Sequence, residues 1–261
     1  MKGLPALLLG GVAGLLSGLL GIGGGLIVGP TLILFGMPAS RALGTSLWVV
    51  FPVATAAVIA ELWFAPLQML WWPALWIAIG GQIGAPIGAA ILLRLPDYGL
   101  RLAFAFFLFW VGLRNIGLLG QGSSGIQEGF RVLNHLGAWG TPLLAGSIGI
   151  SAGICSTLFG VGGGVVVVPG LLYLLGGIAF PSAAATSLLA MVPTAARGAW
   201  LARNQNRLDL ASIKGLVPSA TAATFVAVWL RDFVIAPAVL TQIFGAFLLF
   251  VASRLIRRNS A

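Results

Sequence analysis

Charge is what this chain has least of. Only 7% of its 261 residues are Asp, Glu, Lys or Arg, whereas a soluble domain carries roughly 25–35% on its surface. Such a chain cannot cover itself with water-facing groups, which excludes a disordered chain and a soluble enzyme. Acids are scarcest: Glu61, Asp97, Glu128, Asp209 and Asp232 are the whole set, and His135 is the single histidine. No metal-ligand cluster and no nucleophile–base pair can be assembled from them, so the sequence reads as neither an enzyme nor the holder of a metal or cofactor. The one cysteine, Cys155, permits no internal disulfide and reads as a small buried apolar side chain.

What is present is apolar residues and glycine. Hydrophobic residues make up 59% of the chain, 38 residues are Gly, and the mean hydropathy is +1.06. Hydrophobic blocks run at roughly 4–35, 42–62, 70–93, 100–119, 138–176, 183–202, 211–230 and 236–256. A bilayer core of ~30 Å is crossed by ~20 residues of helix, and six blocks have that length. The first and fifth are too long, since the first would make a helix of about 48 Å, so each must break, tilt strongly or turn back. The opening Met1-Lys2-Gly3-Leu4-Pro5 resembles the start of a signal peptide, but the apolar run continues through a glycine cluster and is expected to be retained structure.

Both long blocks are interrupted at the same place. Gly21-Ile22-Gly23-Gly24-Gly25 with Pro30 and Gly160-Val161-Gly162-Gly163-Gly164 with Pro169 lie at a constant offset of 139, as do Gly14 with Gly153 and Ser17 with Ser156. Thr45-Ser46 and Pro52 match Thr186-Ser187 and Pro193 at 141, and Phe104, Phe107 and Arg114 match Phe244, Phe247 and Arg254 at 140. This is an internal duplication. It divides the chain into a first membrane repeat over 1–119, a polar linker over 120–137 and a second repeat over 138–261.

The net charge of +9 is read as topology, because the basic residues are too few to form the continuous patch that nucleic acid requires. If each long block is a re-entrant hairpin and the N-terminus is cytoplasmic, ten basic residues face the cytoplasm and Arg114, Arg131 and Arg231 face outside, with Arg197 inside a span. Full crossings would give nine against four. Basic residues favour cytoplasmic loops, which prefers the hairpins. A hairpin plus three spans then makes the two repeats inverted. The expected fold is an all-α polytopic membrane protein, both termini cytoplasmic, built of two inverted repeats, each a broken helical hairpin plus three transmembrane helices.

Non-helical backbone at membrane depth survives only where protein buries it or water reaches it. Two repeated breaks are therefore expected to border a cavity, where half-helix N-termini offer N–H groups to a small anion. Candidate substrate contacts are Gly23, Gly24, Gly25, Gly162, Gly163 and Gly164 in the turns, with Ser17 and Ser156 preceding them. Thr45, Ser46, Thr186 and Ser187 open the next span in each half. The alternative is that small residues serve only close helix packing or a hinge, and that the hydroxyls satisfy backbone. Neither cluster is followed by the Lys-Ser/Thr of a phosphate-binding loop. Gln82, deep in the third span, is either a helix–helix bond or a substrate contact. Arg197 either touches the anion or snorkels to the interface.

The five acids and His135 all fall at span ends or in loops, so no buried carboxylate is expected as a proton relay. Glu61, at the end of the second span, is the nearest to a coupling group, with an ordinary interfacial acid as its alternative. Trp63, Trp71, Trp72, Trp76 and Trp110 read as interfacial anchors.

At these residues the chain resembles the sulfite exporter TauE/SafE family of membrane permeases. The resemblance is carried by Gly18-Leu19-Leu20-Gly21-Ile22-Gly23-Gly24-Gly25 with Pro30, Ala42-Leu43-Gly44-Thr45-Ser46, Gly80-Gly81-Gln82-Ile83-Gly84-Ala85, Gly160 to Gly164, and Ala185-Thr186-Ser187. It covers essentially the full length. It implies a secondary transporter exporting a small sulfur-containing anion, sulfite or an organosulfonate such as sulfoacetate, across the bacterial inner membrane. A passive anion facilitator, a carrier of another small organic acid and a non-transporting scaffold are the competing readings, and self-association as a homodimer is left open. Gly177 stands where the first half has Pro38, and Ala56 is the counterpart of Arg197, so the anion is expected to bind asymmetrically.

Overall fold

The structure, a computed structural model, describes residues 4–92, 106, 108–110, 112, 113, 116, 139–175 and 178–257. The 120–137 linker, Asp97, Glu128, His135, Arg114, Arg131 and Gly177 lie outside the described residues. Among the described residues the secondary structure is entirely helical. The elements are α1 Leu4–Leu20, α2 Gly25–Leu34, α3 Ala39–Phe64, α4 Trp71–Leu92, α5 Gly140–Phe159, α6 Gly164–Gly170, α7 Phe180–Asn204, α8 Leu210–Phe233 and α9 Pro237–Arg257. A single turn of π-helix, Leu171–Leu175, prolongs α6, and a short 3₁₀ turn, Pro66–Gln68, joins α3 to α4. Both long hydrophobic blocks break at their glycines, as expected from their length. Four helices, Ser40–Phe64, Trp71–Leu92, Gly140–Phe159 and Leu210–Phe233, are long and apolar enough to cross a membrane, with shorter apolar helices beside them.

Glycine lets the backbones of these helices touch, and the order of those contacts gives their directions. Gly10, Gly14 and Gly18 of α1 lie in turn against Leu216, Ala220 and Thr224 of α8, so α1 and α8 run parallel. Gly80, Gly84 and Gly88 of α4 likewise climb past Gly146, Ile150 and Ile154 of α5. Thr45 meets Asp209 and Glu61 meets Arg231, which makes α3 parallel to α8. Leu70 meets Thr186 and Gln82 meets Pro193, which makes α4 parallel to α7. In contrast, Gly44 lies against Ala202 and Leu47 against Gly198, so α3 and α7 are antiparallel. Helices α1, α3 and α8 therefore point one way and α5, α7 and α4 the other. Since the duplication pairs α1 with α5, α3 with α7 and α4 with α8, the two repeats are inverted.

The same reasoning settles the hairpins. Gly25 lies against Val50 and Gly29 against Leu43, so α2 descends along α3 and returns toward the end at which α1 began. After each break the chain comes back beside the helix it has just left: a Cβ on Gly24 would stand 2.8 Å from the Ala13 carbonyl oxygen and one on Gly163 3.0 Å from that of Ala152. Arg41, Arg203, Arg207 and Lys214 consequently share one end of the molecule. There, Arg41 Nε donates to the Leu208 carbonyl at 3.1 Å. The outward surface is apolar, with Leu8, Leu15, Ile59, Ile83 and Phe250 exposed, as lipid contact requires. Trp63, Trp71, Trp72 and Trp110 are exposed as well. Trp76 is half-buried and stacks edge-on against Trp72. Cys155 is half-buried rather than buried.

Gly14→Leu should force α1 off α8, because even a Cβ there overlaps the Ala220 carbonyl, whereas Gly11→Leu meets open space. Thermal unfolding in detergent should show the first destabilised by about 1–3 kcal/mol or more and the second unchanged.

Candidate functional site

The two glycine breaks, distant in sequence, are brought face to face. Gly21, Gly23 and Gly24 adopt φ of 69°, 71° and 67°, and Gly160, Gly162 and Gly163 adopt 66°, 81° and 90°. These are left-handed values that a Cβ opposes. A Cβ on Gly25 would overlap the Gly160 carbonyl, and one on Gly164 the Gly21 carbonyl. Each half's turn is thus seated on the other's, reciprocally. Each turn also delivers the start of a helix, α2 or α6, with no side-chain cap at either, where first-turn N–H groups have no intrahelical partner.

The hydroxyls singled out in the sequence fall into three kinds. Ser46 Oγ donates to the Gly160 carbonyl at 2.8 Å, or to that of Gly25 at 3.2 Å, and Ser187 Oγ donates to the Gly21 carbonyl at 2.9 Å. These serines satisfy backbone carbonyls that the breaks release. Thr45 Oγ1 accepts the Asp209 N–H at 2.9 Å and Thr186 Oγ1 accepts the Leu70 N–H at 3.0 Å. Both thereby hold the start of a helix of the opposite repeat. Ser212 donates to Asp209 Oδ2 at 2.5 Å, and that bond holds the Asp209 carboxyl below its ordinary range. The third kind is Ser17 and Ser156. Both are fully buried in the last turn before a break, and neither Oγ has a hydrogen-bond partner.

Between the turns sit two side chains the sequence reading did not single out, Val50 of α3 and Met191 of α7. A Cβ on Gly23 would lie 2.9 Å from both Met191 Sδ and Val50 Cγ1, and one on Gly162 would lie 2.6 Å from Val50 Cγ1 and 3.0 Å from Met191 Sδ. Their positions differ by the 141 that relates Thr45-Ser46 to Thr186-Ser187, and that register was the signal that could have found them. The expectation of a cavity bordered by the turns is corrected here. Protein buries the breaks: the turns press on each other, apolar side chains fill the axis, and serine hydroxyls take carbonyls that water would otherwise solvate.

Two candidates lie apart from this centre. Gln82 Nε2 donates to the Pro193 carbonyl at 2.7 Å, tying α4 to α7 and leaving the turns to the hydroxyls. Arg197 is exposed on the outer face of α7, its guanidinium 5.1 Å from the Trp200 ring centroid, a cation–π contact away from the glycines.

The expectation that no carboxylate is buried is also corrected. Glu61 and Arg231 form an ion pair with fully buried side chains, and Arg231 Nε bonds Asp232 Oδ1 at 2.9 Å with the Asp232 side chain 1% exposed. Arg231 Nη1 donates to the Gly18 carbonyl at 3.0 Å. A residue at a helix end is buried when another helix covers that end, and here the last turn of α1 lies against the end of α8, its Gly18 carbonyl bonded by Arg231.

Ser46→Ala and Ser187→Ala should each cost about 1–3 kcal/mol, the cost of leaving a buried carbonyl unsatisfied. Ser17→Ala and Ser156→Ala remove no bond, so their thermal midpoints in detergent should stay at the wild-type value.

The probable membrane transporter proteins of Xylella fastidiosa strains Temecula1 and 9a5c are similar to this chain, 32% and 31% identical over 168 residues, which make up 63% of the chain and 60% of each relative. The match thus spans about three-fifths of those relatives' length. No solved structure matches. The model of the family described as sulfite exporter TauE/SafE matches residues 1–141 and 143–261. With its glycine turns doubled and its repeats inverted, the chain belongs to the sulfite exporter TauE/SafE family.

Proposed function

We propose that this protein is a secondary transporter that exports a small sulfur-containing anion, sulfite or an organosulfonate such as sulfoacetate, across the bacterial inner membrane. The observation that carries the reading is the pair of fully buried, unbonded hydroxyls, Ser17 and Ser156, at equivalent places in the last helical turn before each glycine break. Buried polar groups ordinarily find partners. A hydroxyl donor and a helix N-terminus together suit an oxyanion, and an inverted pair of broken helices is the architecture in which one site is opened alternately to two sides. The end carrying Arg41, Arg203, Arg207 and Lys214 is assigned to the cytoplasm. In the closed arrangement Val50 and Met191 occupy the axis, so transport requires α3 and α7 to part and admit the anion between the turns. The family and the names of the two relatives support transport. Sulfur-containing anions rest on the family description, and a carrier of another small organic acid would use the same donors.

A specific observation favours a second reading, in which the glycines serve packing alone: both turns are in direct contact with apolar side chains and with each other. The serines decide between the two. In proteoliposomes loaded with labelled sulfite or sulfoacetate, Ser17→Ala and Ser156→Ala should each slow release roughly tenfold or more, the loss expected for a hydrogen bond to a charged ligand, with the fold intact. Release at the wild-type rate from both variants would reduce the turns to a packing device.

A further inference from the structure

Glu61, Arg231 and Asp232 bring two carboxylates and one guanidinium together at the end of α3 and α8, with side-chain exposures of 0%, 0% and 1%. The formal charges do not cancel: one negative charge is left among buried side chains. The bonds say which carboxylate is in excess. Asp232 is held by Arg231 Nε at 2.9 Å and by Nη2 at 3.4 Å, a two-pronged grip that satisfies a carboxylate. Glu61 touches the same Nη2, and its Oε2 has no hydrogen-bond partner at all.

An ionised oxygen buried with no donor is unfavourable. Among the described residues no other titratable side chain stands near to relieve it. Helices α1 and α4 contain none, nor do the links 65–70 and 234–236. Arg41 of α3 and Lys214 of α8 lie at the opposite ends of their helices, and Arg197 and Arg203 lie near the C-terminal end of α7, which packs beside the start of α3. The group's other partner is backbone: Arg231 Nη1 donates to the Gly18 carbonyl, three residues before the first turn glycine, Gly21.

We infer that Glu61 is a proton-binding site whose occupancy is coupled to the anion site at the glycine turns; the coupling rests on the transporter reading, the proton site does not. A proton delivered by water adds to Glu61 Oε2 and leaves a neutral carboxylic acid beside a neutral Arg231–Asp232 pair. Loss of that proton restores the carboxylate and tightens its hold on Arg231. Because the same guanidinium bonds the last turn of α1, a change in that hold is transmitted to the helix that carries Ser17 and leads into Gly21.

Two measurements test this, and they fail separately. Glu61 and Glu128 are the only glutamates in the chain. Cell-free synthesis of the Glu128→Gln protein with carboxyl-¹³C glutamate therefore labels Glu61 alone. Infrared difference spectra between mildly acidic and mildly alkaline buffer should show an isotope-shifted carboxylic-acid band on the acid side. If the labelled group stays a carboxylate throughout, or a neutral acid throughout, the proton site is overturned whatever the protein transports. In proteoliposomes, sulfoacetate, which stays ionised, should be accumulated against its concentration gradient when a pH gradient is imposed. Glu61→Gln should lower that accumulation by roughly tenfold, within the usual range of coupling between two sites, while flux down the concentration gradient stays within about twofold of wild type. Equal accumulation by wild type and Glu61→Gln would overturn the coupling. No sulfoacetate flux from wild type would count against the transporter reading and with it the coupling, while the infrared band still decides the proton site.

Discussion

Backbone that leaves the helix inside lipid must find partners for its amides and carbonyls, and that requirement organises the whole molecule. Lipid supplies none. Each break therefore has to be met by the other repeat or by hydroxyls carried on α3 and α7. Ser46 reaches the Gly160 carbonyl of the second turn, and Ser187 reaches the Gly21 carbonyl of the first. The shorter of these bonds cross between repeats, and within its own repeat Ser46 reaches only the Gly25 carbonyl, at 3.2 Å. Glycine at Gly25 and Gly164 is the geometric condition for this, since a side chain at either place would overlap the facing carbonyl.

The symmetry is close along the axis and fails toward the ends. Val50 with Met191, Leu43 with Ala184, and Thr45 with Thr186 repeat the same contacts in the two halves. The charged cluster does not repeat. Ala202 stands where the first half has Glu61, and Leu92 where the second has Arg231. Among the described residues one end of the molecule is fastened by a buried ion pair and the other is not, so the two ends are not energetically equivalent although the backbone pattern is nearly so.

The sequence made the breaks legible because length in a bilayer is a hard limit: a block longer than the membrane, with glycines at its middle, has to turn. The inverted order followed from counting spans, and the paired hydroxyls from the register of the repeat. What it did not disclose were pairings between distant helices. Glu61 and Arg231 are 170 positions apart, and burial at a helix end depends on which third helix covers it. Arg197 could not be placed from hydropathy, because a span says nothing of which face a residue occupies. The expected cavity failed for a related reason: breaks can be satisfied by water or by protein, and only the opposing turn, with Val50 and Met191, reveals which.

The crossed packing has a consequence for biosynthesis. Helix α1 rests its glycine face on α8, with Gly14 against Ala220, so α1 waits for a segment made about 200 residues later. Until the second turn and Ser187 have been made, the first hairpin holds its opened backbone with none of the second repeat's groups in place. The contacts that hold α1 in place thus form only once α8 has been made.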